Sequence, residues 1–283
     1  MSERGAPGPP VFADPATFRA AVRRGDFRGT TAGLLPGFIQ ANLVVLPAGW
    51  AEEFIEFCVR NPRPCPLLDV TAVGSPDPRR LAPGADLRAD VPGYRVFAQG
   101  AFRETTDLHE VWDEDSVGFL LGCSFTFERA LQAADIPLRH VEQGTTVPMY
   151  RTSLACIPTA RLAGPTVVSM RPIPKALVER ATEISARYPG SHGAPLHAGD
   201  PSAIGIADIA HPDFGDPVDI GANEVPVFWA CGVTPQVILE ESGCACFAAH
   251  APGRMFVGDA PETIDALSAL SALAHFGGAT TRT

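Results

Sequence analysis

Apolar residues recur at helical spacing in several stretches of the chain. Asp14-Pro15 combines an N-cap residue with proline at the first helical position, and Phe18 and Val22 then share one face, which predicts a helix ending at Gly25. The same three-to-four-residue spacing predicts further helices. They lie within residues 49–62, from Asp115 through residue 136, over 174–188, from Thr234 onwards, and over 264–276.

Short apolar runs bounded by proline or glycine predict the strands. These runs are residues 65–70, 94–100, 147–157, 164–173, 203–209 and 224–232, and the strand-turn-strand segment 244–259. Another apolar run, from Phe38 to Leu46, is interrupted by Gln40 and Asn42, which must find hydrogen-bond partners if they are buried. The mixture of strands and helices, without any repeat, indicates α/β, or α+β with an inserted unit.

The composition is typical of a globular protein that folds without covalent staples. The chain has 283 residues, of which 46% are hydrophobic and only 19% are charged, so it can bury a stable core. It contains 27 glycines and 28 prolines, which predicts many tight turns. Its seven cysteines are an odd number at irregular spacing, which favours reduced thiols over a disulfide framework.

The net charge of −10 argues against a nucleic-acid partner, because phosphate binding relies on a basic surface. It does not exclude an anionic small substrate, since one or two converging arginines can bind a carboxylate. The sequence has no uninterrupted apolar stretch of about 18 residues, so no membrane span is predicted. The N-terminal stretch MSERGAPGPPVFADP lacks the pattern of a signal peptide, and we therefore expect a cytoplasmic location.

The segment RYPGSHGAPLHAGDP, residues 187–201, is too rich in glycine and proline to continue a helix or a central strand. It predicts a loop, which either holds a functional site or simply crosses between elements. His192 is its candidate acid–base group, because an imidazole can accept and donate a proton near pH 7.

Several side chains that could bind a metal fall in or just after this loop. They are His192, His197, Asp200, Asp208 and His211. Their spacing matches no common ligand motif, so ordinary turn hydrogen bonds are favoured over a metal site.

A second group of candidates surrounds Cys123-Ser124. The segment lacks the strand-GxSxG-helix frame that exposes a nucleophilic serine, and Cys123 lies on the predicted apolar stripe, which favours a core thiol. Ser124 and Glu128 are four residues apart on one predicted helical face, so both can face a cleft. For Glu128 the alternative is an ion pair with Arg129 or contact with solvent.

Two arginines, Arg151 and Arg171, stand in or at the end of apolar strands. Each must find a carboxylate there, and arginine binds a carboxylate through two parallel hydrogen bonds. Each is therefore either a substrate clamp or part of a structural salt bridge.

Gly232 and Thr234 precede and open a predicted helix, whose first N–H groups can bind a carboxylate or an oxyanion. Helix capping by Thr234 is the simpler alternative, and the two interpretations can hold together. No GxGxxG follows a strand and no GxxxxGK[ST] occurs, so nucleotide chemistry has no support. The residues alone thus indicate a polar pocket, framed by glycine and proline, for a small carboxylate.

Many spaced motifs resemble one family. They are RGTTAGLLPGFIQANLVVLP, FLLGCSFTFE, YRTSLACIP, GPTVVSMRPIP, RYPGSHGAPLHAGDP, GIADI, DFGDPV, EVPVFWACGVTPQ and APGRMFVGD. Together they resemble the bacterial D-glutamate cyclase family, whose members are often labelled hydro-lyases. The resemblance implies a larger layered α/β domain formed by residues 1–115 and 197–283, with a smaller α+β insert over 116–196.

The resemblance also implies a lyase that removes water, and its named reaction closes D-glutamate to 5-oxo-D-proline. This chemistry needs a proton carrier, a bound carboxylate and a stabilised oxyanion, but no cofactor. We expect His192 or Glu128 to transfer protons and Arg151 or Arg171 to bind a substrate carboxylate. Ser124 and the backbone around Gly232 are expected to stabilise the oxyanion.

The loop is expected to present further substrate contacts at the rim of a cleft between the two parts. These are Ser191, Gly193 and Asp200, with Thr234 contributing from the helix start. Two other functions stay open: a non-catalytic protein that binds a small carboxylate or amino acid, and a metal-assisted hydratase of another small acid. The expected partner is a small carboxylate, and a homo-oligomer stays open.

Overall fold

The computed structural model describes residues 11–277. The strands are β1 (Phe38–Pro47), β2 (Leu67–Val70), β3 (Tyr94–Ala98), β4 (Ala101–Thr105), β5 (Ser116–Gly122), β6 (Met149–Ala155), β7 (Pro165–Pro174), β8 (His197–Ala198), β9 (Glu224–Ala230), β10 (Cys246–His250) and β11 (Phe256–Pro261). The α-helices are α1 (Pro15–Arg23), α2 (Ala48–Arg60), α3 (Phe125–Ala133), α4 (Arg139–Gln143), α5 (Val178–Ala186), α6 (Thr234–Glu241) and α7 (Ala269–Gly277). This is a mixed α/β fold with two sheets.

The larger, seven-stranded sheet has the order β2-β5-β1-β10-β3-β4, and β11 also pairs with β1. Its central strand β1 is buried almost throughout, because alternate side chains enter apolar layers on both faces. Val44 and Leu46 pack with α2 on one face, whereas Leu43 and Val45 pack against the segment 81–112 on the other. A strand buried on both faces must be almost continuously apolar, as this one is.

The smaller sheet has the order β6-β7-β9-β8. Helices α3 and α5 cover it, with Phe127 and Leu131 of α3 and Ala181 of α5 packed against Trp229 of β9. The indole N–H of Trp229 donates to the hydroxyl of Ser185 at 3.0 Å, so this buried ring leaves no polar atom unpaired.

Most elements predicted from the sequence are confirmed. The first helix begins at Pro15 and Asp14 caps it by accepting from the N–H of Thr17 at 2.7 Å. The buried side-chain amide nitrogens of β1 find partners, since Gln40 donates to the Thr31 carbonyl and Asn42 to the Gly122 carbonyl, whereas Oε1 of Gln40 has none among residues 11–277. No helix in residues 11–277 is long and apolar enough to cross a bilayer.

Two element predictions are wrong. The helix predicted from Asp115 is a strand, β5, followed at Phe125 by the shorter helix α3. Strand β5 lies between β1 and β2 and is buried on both faces, so its apolar run fits a helical stripe as well as a strand. The strand predicted over 203–209 is absent, and a short 3-10 helix covers Pro201–Ile204 instead.

The predicted domain division stays a prediction. Strand β5 falls inside the predicted insert of residues 116–196 but belongs to the larger sheet, while the smaller sheet continues to Ala230. We propose that boundaries near residues 123 and 231, where α3 and α6 are about to begin, divide the two sheets more naturally.

Candidate active site

A cavity of about 320 Å³ is lined by residues of both sheets. Asn42, Arg95 and His250 reach it from β1, β3 and β10 of the larger sheet, and Met149 reaches it from β6 of the smaller one. A cavity of this size fits a small metabolite and is at the lower end of typical ligand pockets.

Two helices begin at this cavity after the end of a strand. Strand β5 is followed by Cys123-Ser124 and then α3, while β9 is followed by Cys231-Gly232-Val233 and then α6. The first N–H groups of a helix have no partner within the helix, and its N-terminus carries partial positive charge. Two such starts on one cavity favour a ligand with negative charge.

Glycine is required at position 232. A Cβ there would lie 2.2 Å from Nδ2 of Asn42, whose side chain is fixed by a 2.6 Å hydrogen bond to the Gly122 carbonyl. Any side chain at this position would therefore displace the side chain of Asn42 and break this hydrogen bond to the end of β5. Because glycine has no side chain, the backbone at Gly232 can also approach a ligand in the cavity closely.

His192 lies on the cavity wall and is 1% exposed. Its backbone is left-handed, with φ +77°, because the chain turns sharply after the 3-10 helix Pro189–Ser191. Its Nδ1 lies 2.7 Å from the carbonyl oxygen of Arg63. Burial lowers the pKa of His192 to about 4, although the Arg63 carbonyl opposes this, so the imidazole is neutral at pH 7.

His250 lies on the same cavity and is 4% exposed. The N–H of Leu43 donates to its Nδ1 at 3.2 Å, and the carbonyl of Leu43 lies 3.4 Å from the same atom. Burial lowers the pKa of His250 to about 4 as well. The cavity thus contains two neutral imidazoles at neutral pH.

Charged side chains also line the cavity. Arg95 lies there with its guanidinium 4.2 Å from the ring centre of Phe102, and its buried Nε has no hydrogen-bond partner among residues 11–277. Glu240 of α6 is on the lining too, and burial raises the pKa of its carboxyl while Arg151 and Arg95 lower it. A ligand with one negative and one positive group would therefore find an oppositely charged side chain for each of them.

Ser124 faces the cavity, but the other residue on its predicted helical face does not line it. Glu128 instead accepts from Arg171, whose Nε lies 3.0 Å from Oε1 and whose Nη2 binds the same oxygen. Nη2 of Arg171 also donates to the Ser124 hydroxyl at 3.0 Å. Arg171 is fully buried, so this ion pair forms the support behind Ser124.

The Glu128 carboxyl stays ionised over a wide pH range. Burial raises its pKa, but the charge of Arg171 and a contact with His140 at 3.2 Å prevail and lower it to about 2. A carboxylate this acidic is a poor proton carrier near neutral pH. The position of Glu128 therefore argues for a supporting role rather than the predicted proton transfer.

Of the other residues predicted in the loop, Ser191 and Gly193 lie beside His192, whereas Asp200 lies at the surface. Ser191 is buried beside His192, and its hydroxyl has no hydrogen-bond partner in the described part of the chain. Gly193 completes the left-handed turn with φ +66°. Asp200, by contrast, is exposed and caps the next 3-10 helix by accepting from the N–H and hydroxyl of Ser202.

Arg151 and Thr234 also have partners within the protein. Arg151 is half-exposed and pairs with Glu241 of α6. The Thr234 hydroxyl accepts from the N–H of Val167 at 3.0 Å, so it joins α6 to β7 rather than capping the helix. Among residues 11–277, no group of three or more His, Cys, Asp or Glu side chains could hold a metal ion.

Sequence reasoning missed Asn42, Arg95 and His250 as site residues. Each is a polar residue within a largely apolar strand, and that was the available signal. The signal alone does not say which face of the sheet the side chain is on, or that residues of three separate strands line one cavity.

Comparison with known proteins gives one family. Residues 117–259 match the model of the D-glutamate cyclase family. A protein of Rubrobacter xylanophilus named "Putative hydro-lyase" is 57% identical over 256 residues, which are 90% of this chain and 96% of that protein. A protein of the same name from Stutzerimonas stutzeri is 52% identical over 246 residues, 87% of this chain and 93% of that one.

The matched region includes most of the cavity. Both helix starts, His192 and His250 lie within residues 117–259, whereas Asn42 and Arg95 precede them. The relatives cover those two positions as well, since their matches span nearly the whole chain. A solved nitrogen repressor-like protein of Methanococcus jannaschii has 8% sequence identity and a TM-score of 0.36 and covers 77% of this chain and 86% of its own, which is too distant to inform the site. The chain belongs to the D-glutamate cyclase family.

Proposed function

We propose that this protein is a hydro-lyase that closes D-glutamate to 5-oxo-D-proline with release of water. The observation that carries the proposal is that one small cavity is lined by a buried neutral imidazole, His192, and by two helix N-termini. The helix starts suit negative charge, and the imidazole can accept a proton once a bound carboxylate raises its pKa above the value of about 4 that burial sets. Family membership supports the same reaction.

Lactam formation needs few chemical groups. The substrate nitrogen loses two protons and bonds to the γ-carboxyl carbon, while one γ-carboxyl oxygen receives both protons and leaves as water. The site must therefore hold both ends of the chain close together, carry protons and stabilise charge on the γ-carboxyl oxygen. His192 is suited to carrying the protons. Ser124 and the N–H groups around Gly232 are suited to stabilising the charge on the γ-carboxyl oxygen.

Arg95 is the best candidate to bind the substrate's α-carboxylate. Arg151 and Arg171, which the sequence suggested, already pair with Glu241 and Glu128. Arg95 lines the cavity, and no carboxylate among residues 11–277 forms a salt bridge with it, so its charge is left for a ligand. Glu240 adds a carboxylate that can face the substrate ammonium.

The experiment measures 5-oxoproline by mass spectrometry after incubating the purified protein with D-glutamate or with L-glutamate. We expect product above the spontaneous rate from the D isomer, and little from the L isomer. Binding without turnover would support a carboxylate-binding protein instead. No product from either isomer, together with a metal ion found by metal analysis of the purified protein, would support a metal-assisted hydratase of another small acid.

A further inference from the structure

Both cavity histidines have one ring nitrogen engaged and one free. His192 and His250 each use Nδ1 for a backbone contact, and neither Nε2 has a hydrogen-bond partner among residues 11–277. A neutral imidazole carries its proton on only one nitrogen, so the backbone contact at Nδ1 decides what Nε2 offers to a ligand.

The two contacts differ in kind. His192 faces a carbonyl oxygen, that of Arg63 at 2.7 Å, and an oxygen can only accept. Nδ1 of His192 must therefore carry the proton, which leaves a lone pair on Nε2.

His250 is arranged the other way. The N–H of Leu43 points at its Nδ1 at 3.2 Å, which is shorter than the 3.4 Å to the Leu43 carbonyl. A buried N–H without an acceptor is costlier than a carbonyl with one free lone pair, so Nδ1 accepts and the proton lies on Nε2.

We propose that the fold fixes the two cavity histidines in opposite tautomers, so that His192 presents a base and His250 presents an N–H donor to the same ligand. This inference rests on the proposed function for the identity of the ligand. It adds His250 as a catalytic residue and gives the two imidazoles different tasks.

The tautomers define the steps. Nε2 of His192 takes a proton from the substrate nitrogen and returns it to the departing γ-carboxyl oxygen, once for each of the two protons. Nε2–H of His250 donates a hydrogen bond to the other γ-carboxyl oxygen, which gains negative charge as nitrogen attacks the carbon. His250 does not release its proton, because a neutral imidazole would then become an imidazolate. The substrate carboxylates would favour the protonated form of His192 during transfer.

The first test needs no activity. Protein labelled with ¹⁵N-histidine is examined at pH 7 by long-range ¹H–¹⁵N correlation, which shows which ring nitrogen carries hydrogen. Signals are assigned with the variants His192→Asn and His250→Asn. We expect Nδ1–H for His192 and Nε2–H for His250, and the same tautomer in both rings, or a charged ring, would overturn the proposal.

The second test separates catalysis from support at His250. Asparagine places an acceptor near the position of Nδ1 and can keep the Leu43 hydrogen bond, but it loses the donor to the cavity. Glutamine places an N–H₂ near the position of Nε2 and can keep that donor. We expect kcat to fall about 100-fold in His250→Asn and at most about 10-fold in His250→Gln, as for loss of one oxyanion donor.

A structural role predicts the reverse order, with the asparagine variant closer to wild type, and that order would overturn the catalytic role of His250. If wild-type protein forms no product from D-glutamate, the proposed function fails and the catalytic roles fail with it. The tautomer assignment is then still judged by the NMR result alone, so the two failures are distinguishable.

Discussion

Replacing Glu128 with glutamine should destabilise the protein strongly, because it leaves the guanidinium of Arg171 buried without a counter-charge. Arg171 is 0% exposed and its hydrogen bonds go to Glu128, Ser124 and Ser169. Removing one partner of a buried ion pair costs about 3–5 kcal/mol. We expect Glu128→Gln to lower the free energy of unfolding by an amount in that range at pH 7.

The pH dependence gives an independent magnitude. The pKa of Glu128 is lowered from 4.5 to about 2 in the folded protein, which corresponds to about 3 kcal/mol. Because the folded-state pKa is the lower one, this stabilisation is complete above pH 4.5 and is lost as the pH falls towards 2. The glutamine variant should not show this loss.

Urea unfolding followed by circular dichroism at several pH values measures both effects. A matched control is Glu142→Gln, which removes an exposed carboxylate 3.1 Å from Arg139 and should cost no more than about 1 kcal/mol. If Glu128→Gln costs no more than the control, the buried pair does not support this part of the fold and the reasoning is refuted.

Three further predictions concern packing, pH and binding. Gly122→Ala would place a Cβ 1.6 Å from the carbonyl oxygen of Gly190, so we expect little folded protein on expression, and normal yield and stability would contradict the close approach. The pKa values of His192 and His250 are about 4 in the folded protein, so between pH 7 and pH 5 these histidines take up protons only in the unfolded chain. Lowering the pH from 7 to 5 should therefore reduce the free energy of unfolding by about 2 kcal/mol for each histidine. Calorimetric melting of wild type and His192→Asn checks this. Arg95→Gln should raise KM for D-glutamate at least 10-fold and change kcat less, and an unchanged KM would exclude Arg95 as the carboxylate partner.

The sequence predicted the part of the site that depends on local backbone chemistry. The glycines and prolines of residues 187–201 indicated a loop, and that loop does place His192 on the cavity. Asp200 belongs to the same loop but lies at the surface as a turn-capping residue. Local composition can indicate that a segment turns, but it cannot say which of its side chains turns inward.

The partners of buried charges could not be predicted from the sequence. Arg171 and Glu128 were both recognised as candidates, yet their pairing joins residues 43 positions apart on β7 and α3. The erroneous helix from Asp115 arose from the same limit, since a strand covered on both faces shows no alternation. In both cases the outcome depends on which residues pack alongside in the folded protein, and the local sequence does not contain that information.

The most direct test of the proposed site compares product formation from D-glutamate by wild-type protein, His192→Asn and His211→Asn. Asparagine tolerates the left-handed backbone of His192, with φ +77°, and His211 is an exposed histidine paired only with Asp208, so the two variants differ in contact with the cavity. We expect 5-oxo-D-proline from wild type and His211→Asn at similar rates, and a loss of at least 100-fold in folded His192→Asn. Equal rates in all three proteins would contradict the claim that this cavity performs the reaction.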